Sequence, residues 1–136
     1  MGAWGVGNFE NDTACDWGYE LEQSDDLSFV NRTIQQILED NGNYLDADLA
    51  CKGLAAIETI VRLMGKQSEQ SAYSEAVDNW VKTHPLNVDD DSKINAIKAI
   101  ERILAHESEL AELWEETDEY QDWIIAVTEL KTMLET

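Results

Sequence analysis

The chain has 136 residues, a length at which a single domain with one buried core is expected. Nine Lys and Arg residues stand against 29 Asp and Glu residues, for a formal net charge of −20. This charge repels nucleic acids and anionic membranes, so neither is expected as a partner, and it favours a cationic protein surface. No apolar run is as long as a membrane span and no signal peptide follows Met1, which predicts a cytoplasmic protein.

Apolar residues recur at helical spacing along the chain, and alternating strand patterns are nearly absent. The predicted fold class is therefore all-α: a compact, single-domain bundle of about six or seven helices over residues 1–136. The first helix begins at a cap supplied by Asn11 or Asp12. Its inner face consists of Ala14, Trp17 and Leu21.

The second and third helices carry the clearest patterns. The second has one apolar stripe and stops at Asn41-Gly42. That stripe consists of Leu27, Val30, Ile34, Ile37 and Leu38. Asp46 caps the third helix and Gly65 ends it. Small residues around Gly53 would let a neighbouring helix approach closely, which predicts that this helix is the central one.

Four further helices follow. The fourth ends at His84-Pro85, because the residue before a proline is biased away from helix. Its apolar positions are Tyr73, Val77, Trp80 and Val81. The apolar positions of the fifth helix include Ile94, Ile97, Ile100, Ile103 and Leu104. Ser108 begins a short helix, and Asp118 opens the last one. Apolar residues along that last helix are Trp123, Val127, Leu130 and Leu134.

Catalytic and metal-binding signatures are missing from the sequence. No nucleophile motif or phosphate loop is present, so the protein is expected not to be an enzyme and to need no cofactor. Asp89, Asp90 and Asp91 lack the spacing of a calcium loop and are interpreted as a helix cap, while His84 and His106 are too isolated for a metal site. A catalytic carboxylate pair remains an alternative, and it requires a buried acid with perturbed protonation in a cleft.

The acidic residues are unevenly distributed. No Lys or Arg precedes Arg32, and none lies between Arg102 and Lys131, where nine acids occur. We predict that the second region contains the partner-binding surface. The predicted contact residues are Glu112, Glu115, Glu116, Asp118, Glu119 and Asp122, followed by Asp89, Asp90 and Asp91. Trp114 lies among these acids and is either a core residue or a partner contact.

The N-terminal stretch MGAWGVGNFENDTACDW is rich in Gly and aromatic residues. Gly2, Gly5 and Gly7 permit tight turns and close approach to other backbone. Trp4 and Phe9 would then pin the segment into a groove between helices, ahead of a first helix that carries Asn11, Asp12 and Trp17. This interpretation is a tether that closes the core. The alternative is an aromatic ligand pocket near Trp4, Asp12 and Trp17.

Three blocks of the chain resemble one protein family. They are MGAWGVGNFENDTACDW at the N-terminus, YLDADLACKGLAAIETIVRLMG at residues 44–65 and SELAELWEETDEYQDWIIAVTEL at residues 108–130. The chain resembles the family DUF4259, a domain of unknown function. The resemblance implies that the N-terminal aromatic segment is a recurring feature of the fold. Small acidic helical proteins of this kind are similar to bacterial immunity proteins, which bind one toxin and block its active site.

The leading functional expectation is therefore a non-enzymatic immunity protein that neutralises a cognate toxin with a basic surface. Acidic side chains would cover a basic catalytic cleft, and electrostatic steering would speed association. The alternative is a housekeeping adaptor or small-molecule-binding protein, which predicts a pocket lined by aromatic residues.

Overall fold

The structure is a computed structural model that describes residues 5–39, 43–66 and 72–136. Within these ranges it contains seven α-helices and one 3-10 turn at Ala72–Ser74, so the predicted all-α bundle is confirmed. The helices are α1 (Asp12–Leu21), α2 (Ser28–Leu38), α3 (Ala47–Leu63), α4 (Glu75–Thr83), α5 (Asp90–Leu104), α6 (Glu109–Glu115) and α7 (Tyr120–Glu135). Among the described helices, none is both long enough and apolar enough to cross a membrane.

Helix α3 is the centre of the bundle, as the sequence predicts. Every residue from Gly53 to Arg62 is buried, and α3 packs against each of the six other α-helices. Helix α2 comes especially close to it, because a methyl group at Gly53 would overlap Cδ1 of Ile37. The small residues of α3 thus serve the close approach that was predicted for them.

Both predicted ends of α3 are confirmed. The Asp46 carboxylate accepts a hydrogen bond from the amide of Leu49 at 3.0 Å. At the other end Gly65 adopts φ +84°. The amides of Gly65 and Lys66 donate to the carbonyls of Arg62 and Val61, at 3.0 and 3.1 Å. These paired bonds satisfy carbonyl groups that the helix leaves free, in the geometry of a Schellman cap.

The inner face of α5 differs from the prediction. Ile94 is 48% exposed, whereas the buried residues of this helix are Ser92, Ala96, Ala99, Ile100 and Ile103. Ala96 and Ala99 lie on this inner face, where α5 packs against α2, α3 and α7. Their small side chains let these helices approach closely. Of the predicted apolar positions, Ile100 and Ile103 are buried, Ile97 and Leu104 are half-buried beside the core, and Ile94 lies outside the contact.

Three other predicted features need correction or fall outside the described ranges. Tyr73 is 49% exposed and lies in the 3-10 turn, so it is not part of the apolar face of α4. Helix α7 begins at Tyr120, two residues after Asp118. The predicted stop of the second helix at residues 41–42 lies outside the described residues, and α2 ends at Leu38.

Helices α5 and α7 run antiparallel. Glu101, near the end of α5, pairs with Lys131 of α7 at 3.5 Å. Lys93, near the start of α5, lines the same surface pocket as Thr136 at the end of α7. The start of α5 and the start of α7 are therefore at opposite ends of the bundle. Because α7 has 16 residues and a helix rises about 1.5 Å per residue, these ends are separated by roughly 24 Å.

A short backbone bridge joins the starts of α3 and α6. The amide of Leu45 donates to the carbonyl of Glu107 at 2.7 Å, and the amide of Glu109 donates to the carbonyl of Leu45 at 2.9 Å. The Glu109 carboxylate also accepts from the amide of Ala47 at 2.9 Å, at the first turn of α3. Ser108 precedes α6 as predicted, but its side chain does not cap the helix.

Glu107 occupies a left-handed conformation within this bridge. Its φ is +58°, and its carbonyl accepts hydrogen bonds from Leu45 and from the Arg102 guanidinium. A non-glycine residue held in a sparsely populated backbone region costs on the order of 1–3 kcal/mol, part of which a glycine would recover.

We therefore expect Glu107→Gly to raise the free energy of unfolding by about 0.5–1 kcal/mol, measured by urea denaturation. The matched control is Glu107→Ala, which removes the same charge but keeps the Cβ and should bring no comparable gain. Equal effects of both variants would assign the change to charge and not to backbone strain.

Candidate functional site

Six predicted contact residues occupy the junction of α6 and α7. Two lie on α6, three lie in the connection, and one lies in the first turn of α7. We call this set the α6–α7 acidic face; it consists of Glu112, Glu115, Glu116, Asp118, Glu119 and Asp122. All six residues are exposed. The structure thus brings together, over a short stretch of chain, the six carboxylates that the sequence analysis placed first.

The charge of this face is uncompensated within the described residues. None of its six carboxylates takes part in an ion pair there. The two cations nearest in the sequence are bonded elsewhere: Lys131 pairs with Glu101, and Arg102 donates to backbone carbonyls of the α5–α6 connection. Uncompensated carboxylates of one sign create a local negative potential that attracts cations. The face can therefore steer and bind a positively charged surface.

Tyr44 lies beside this face and was not among the predicted contact residues. The ring is 52% exposed, and its hydroxyl donates a hydrogen bond to the Glu112 carboxylate at 2.9 Å. This bond is the main reason why the pKa of Tyr44 is raised, and the nearby charges of Glu109 and Glu116 raise it further. An exposed aromatic ring among carboxylates is a favourable contact for a Lys or Arg side chain.

No local pattern could have identified Tyr44. Its hydrogen-bond partner is 68 residues away in the sequence. The two are brought together by the backbone bridge between Leu45 and Ser108. A contact that depends on this single bridge leaves no periodic signal in the sequence.

Trp114 lies beneath the acidic face. It is 5% exposed and stacks on Trp123, with 6.3 Å between the ring centroids. Tyr120 also stacks on Trp123, again with 6.3 Å between the ring centroids. Of the two alternatives for Trp114, the structure favours the core residue. The stacked rings hold α6 against α7 and so fix the spacing of the carboxylates above them.

The second predicted set, Asp89 to Asp91, is exposed but lies elsewhere. Asp89 accepts a hydrogen bond from the amide of Ser92 at 2.8 Å, which caps α5 and lowers the pKa of Asp89. The antiparallel packing of α5 and α7 places this set at the opposite end of α7 from the acidic face. The two predicted sets therefore do not form one continuous site.

The N-terminal segment packs into the bundle. Phe9 is fully buried, and the Arg62 guanidinium lies 5.3 Å from the centre of its ring. Asn11 caps α1 by accepting from the amide of Ala14 at 2.8 Å. A tight turn does form at Gly7, because the Glu10 amide donates to the Gly7 carbonyl at 3.0 Å, and Gly7 takes part in it without a positive φ. At Gly5 a methyl group would overlap the Glu10 side chain, so the close neighbour is not backbone.

The remaining residues of the predicted tether lie in different environments. Trp17 is buried and its indole donates to the Thr33 hydroxyl at 2.9 Å, whereas Asp12 is exposed in the first turn of α1. Trp4 lies outside the described residues. Trp17 and Asp12 therefore do not line a common pocket, as the ligand-pocket alternative requires.

A buried polar network anchors the N-terminal segment to α3 and α4. The amide of Asn8 donates to one oxygen of Glu58 at 2.9 Å, and Arg62 binds the other oxygen at 2.8 Å. Arg62 also donates to Asp78 at 2.7 Å, and the Ser74 hydroxyl donates to the same carboxylate at 2.8 Å. Buried charges persist when they are paired and hydrogen-bonded in this way. The network is therefore a structural feature of the core.

A small cavity lies between the N-terminal segment and the stacked rings. Its volume is about 20 Å³, and Asn8, Trp114 and Trp123 are among its lining residues. Oδ1 of Asn8 is buried and accepts no hydrogen bond from any described residue. About 10–15 Å³ suffices for one water molecule, which would satisfy this oxygen. The cavity is too small for the aromatic-lined ligand site of the alternative function.

Reactive and metal-binding groups are sparse in the described part of the chain. No group of three or more His, Cys, Asp and Glu side chains there is arranged to hold a metal ion. Burial raises the pKa of the Cys51 thiol to about 12, so this side chain stays protonated at neutral pH. The α6–α7 acidic face, with its six exposed carboxylates, is the candidate functional site.

Comparison with known proteins supplies a family. No curated protein and no solved structure matches the chain. One family model, described as a domain of unknown function (DUF4259), matches residues 2–125, which include the N-terminal segment, the central helix and the α6–α7 acidic face. The chain therefore belongs to the DUF4259 family.

Proposed function

We propose that this protein is a non-enzymatic binding module of the immunity type, which neutralises a cognate bacterial toxin by covering a basic active-site cleft. The observation that carries this proposal is the α6–α7 acidic face, with six exposed carboxylates and no ion pair among the described residues. Complementary charge speeds association and suppresses wrong partners. The proposed site of action is the cytoplasm, where such an inhibitor would meet its toxin.

The aromatic side chains beneath the acidic face favour a binding function. Stacked Trp114, Trp123 and Tyr120 hold α6 against α7, so the carboxylates are presented on two packed helices and the short connection between them. Rigid presentation lowers the entropy lost on binding. Tyr44 adds an aromatic contact of the kind that is enriched in interfaces.

The catalytic alternative has less support. Glu58 is the fully buried acid of the described chain, and its two carboxylate oxygens are bonded to Asn8 and Arg62. An acid held in this way is typical of a structural ion pair.

The test of this proposal is charge reversal at three exposed positions of the face, Glu115, Glu116 and Glu119, each to Lys. The matched control reverses Asp16, Glu39 and Glu135, which are exposed and lie on other parts of the bundle. Tagged wild-type, triple variant and control are used to capture partners from the native cytoplasm, and helical content is checked by circular dichroism.

We expect one basic protein to bind the wild type and the control with similar affinity, and the triple variant about 10–1000-fold more weakly at low salt. The captured protein should be toxic when expressed alone and lose its activity when the wild type is added. If the triple variant binds and inhibits as well as the control, the acidic face is not the binding site. If the captured partner has no toxic activity, the immunity function is wrong.

A further inference from the structure

A second surface with the chemistry of a cation site lies between α1 and α4, away from the α6–α7 acidic face. A cavity of about 240 Å³ opens there, and its walls include Tyr19 of α1 and Tyr73 of the 3-10 turn. We call it the Tyr19–Tyr73 cleft. Both rings are largely exposed, Tyr19 at 62% and Tyr73 at 49%.

Helices α1 and α4 pack closely beside the cleft. Gly18 is buried against α4, where an added methyl group would lie 3.3 Å from Val77. Cys15 and Ala76 form part of the lining between the two rings. Small side chains and two tyrosine rings thus line the cleft together, beside a tightly packed α1–α4 contact.

The charge around the cleft is negative. Glu22 and Glu75 both line it. Helix α1 contains no Lys or Arg, and α4 contains one, Lys82, in its last turn. This is the other cation-free region of the sequence, since no Lys or Arg precedes Arg32. The cleft therefore combines two exposed aromatic rings with two carboxylates.

We propose that the Tyr19–Tyr73 cleft binds an arginine side chain of a partner protein. Aromatic rings attract cations through their faces, and a guanidinium can stack on a ring while its N–H groups donate to carboxylates. The volume of about 240 Å³ suits a side chain. Small-molecule sites usually span about 300–1000 Å³. The inference does not depend on the α6–α7 acidic face, because the two surfaces share no residue.

The test uses a blocked peptide, acetyl-Gly-Arg-Gly-amide, titrated into the full-length ¹⁵N-labelled protein. The matched probe replaces Arg with citrulline, which has a similar shape and no charge. We expect the Arg peptide to shift the amide signals of residues 15–22 and 72–79 with a dissociation constant in the millimolar range. The citrulline peptide should shift them at least tenfold more weakly.

Three single variants define the site. Tyr19→Ala and Tyr73→Ala should each weaken binding about three- to tenfold, and Glu22→Gln by a similar factor. Glu20→Gln is the control, because Glu20 is exposed on the same helix and does not line the cleft. It removes the same charge and should leave the affinity within twofold of the wild type. Circular dichroism checks that each variant is folded.

Several results would overturn the proposal. Equal shifts with the citrulline peptide would exclude recognition of the charge, and unchanged affinity in both tyrosine variants would exclude the rings. Shifts centred on residues 112–122 would assign the peptide to the other surface. The triple variant Glu115→Lys, Glu116→Lys and Glu119→Lys separates the two proposals, since it should lose the basic partner but still bind the Arg peptide in the cleft.

Discussion

Replacing Arg62 with Met is expected to lower the free energy of unfolding by about 3–5 kcal/mol. Arg62 is buried, and its guanidinium joins the carboxylates of Glu58 and Asp78 at 2.8 and 2.7 Å. Methionine fills part of the same volume but leaves Glu58 as a buried charge without its cation. Since domains of this size are stable by about 5–15 kcal/mol in total, the loss would be a large share.

The chain provides a matched control for this substitution. Arg32 also lies over an aromatic ring, at 5.8 Å from the centre of Phe29, but it is exposed. Arg32→Met should therefore cost less than about 1 kcal/mol. Both variants are compared by guanidinium-chloride denaturation at neutral pH. Similar losses in the two would mean that the buried network contributes no more than an exposed cation–π contact.

A conservative variant separates charge from geometry. Arg62→Lys keeps the charge near Glu58, but an ammonium lacks the planar fork that contacts two carboxylates and the Phe9 ring together. The free energy of unfolding of Arg62→Lys should therefore lie between that of the wild type and that of Arg62→Met. A loss of stability equal to that of the methionine variant would show that the planar shape of the guanidinium, and not its charge alone, stabilises the network.

Local rules predicted much of the helical framework. Asn11, Asp46 and Asp89 each cap a helix through a hydrogen bond to an amide three residues ahead, and Gly65 ends α3 with a positive φ. These interactions form within one turn of chain, so the sequence contains all that they need. The central position of α3 was also predictable, because its small residues permit close packing on several sides.

Long-range packing explains why the buried ion pair of Glu58 and Arg62 was not predicted. Glu58 and Arg62 are four residues apart, a spacing that usually indicates an exposed helical ion pair. They are buried because the N-terminal segment and α4 close over α3, bringing Asn8 and Asp78 from 50 and 16 residues away. One local sign was available: the helix around them is apolar on all sides, which is typical of a helix with no exposed face.

The sequence predicted the exposure of the candidate site but not the arrangement of its residues. Exposure of the acidic residues follows from their charge, since unpaired carboxylates are rarely buried. The division of the predicted residues into two separate surfaces follows from the antiparallel packing of α5 and α7, which no short pattern specifies. Tyr44, Tyr19 and Tyr73 were missed because each lines its surface through contacts with another element of the bundle.

Replacing Phe9 with Ala is expected to lower the free energy of unfolding by about 3–5 kcal/mol, the usual loss for a buried phenylalanine. The ring is fully buried in the core and also lies beneath the Arg62 guanidinium, so the variant loses apolar contacts and a cation–π contact together. The control is Phe29→Ala, at a partly exposed ring that stacks on Trp17. Phe29→Ala should lower the free energy of unfolding by only about 1–2 kcal/mol, because the Phe29 ring buries less apolar area on folding than the Phe9 ring.

A double-mutant cycle of Phe9→Ala with Arg62→Met tests whether the segment and the network act together. Because the two side chains are in contact, the combined loss should fall short of the sum of the single losses by about 0.5–2 kcal/mol. Hydrogen exchange gives an independent readout. Relative to the wild type, Phe9→Ala should speed exchange of the Ala14 amide, which Asn11 caps, more than exchange of the amides of α7. If the losses add and Ala14 keeps its protection, the N-terminal segment is packed on the bundle without helping to hold α1 and α3 together.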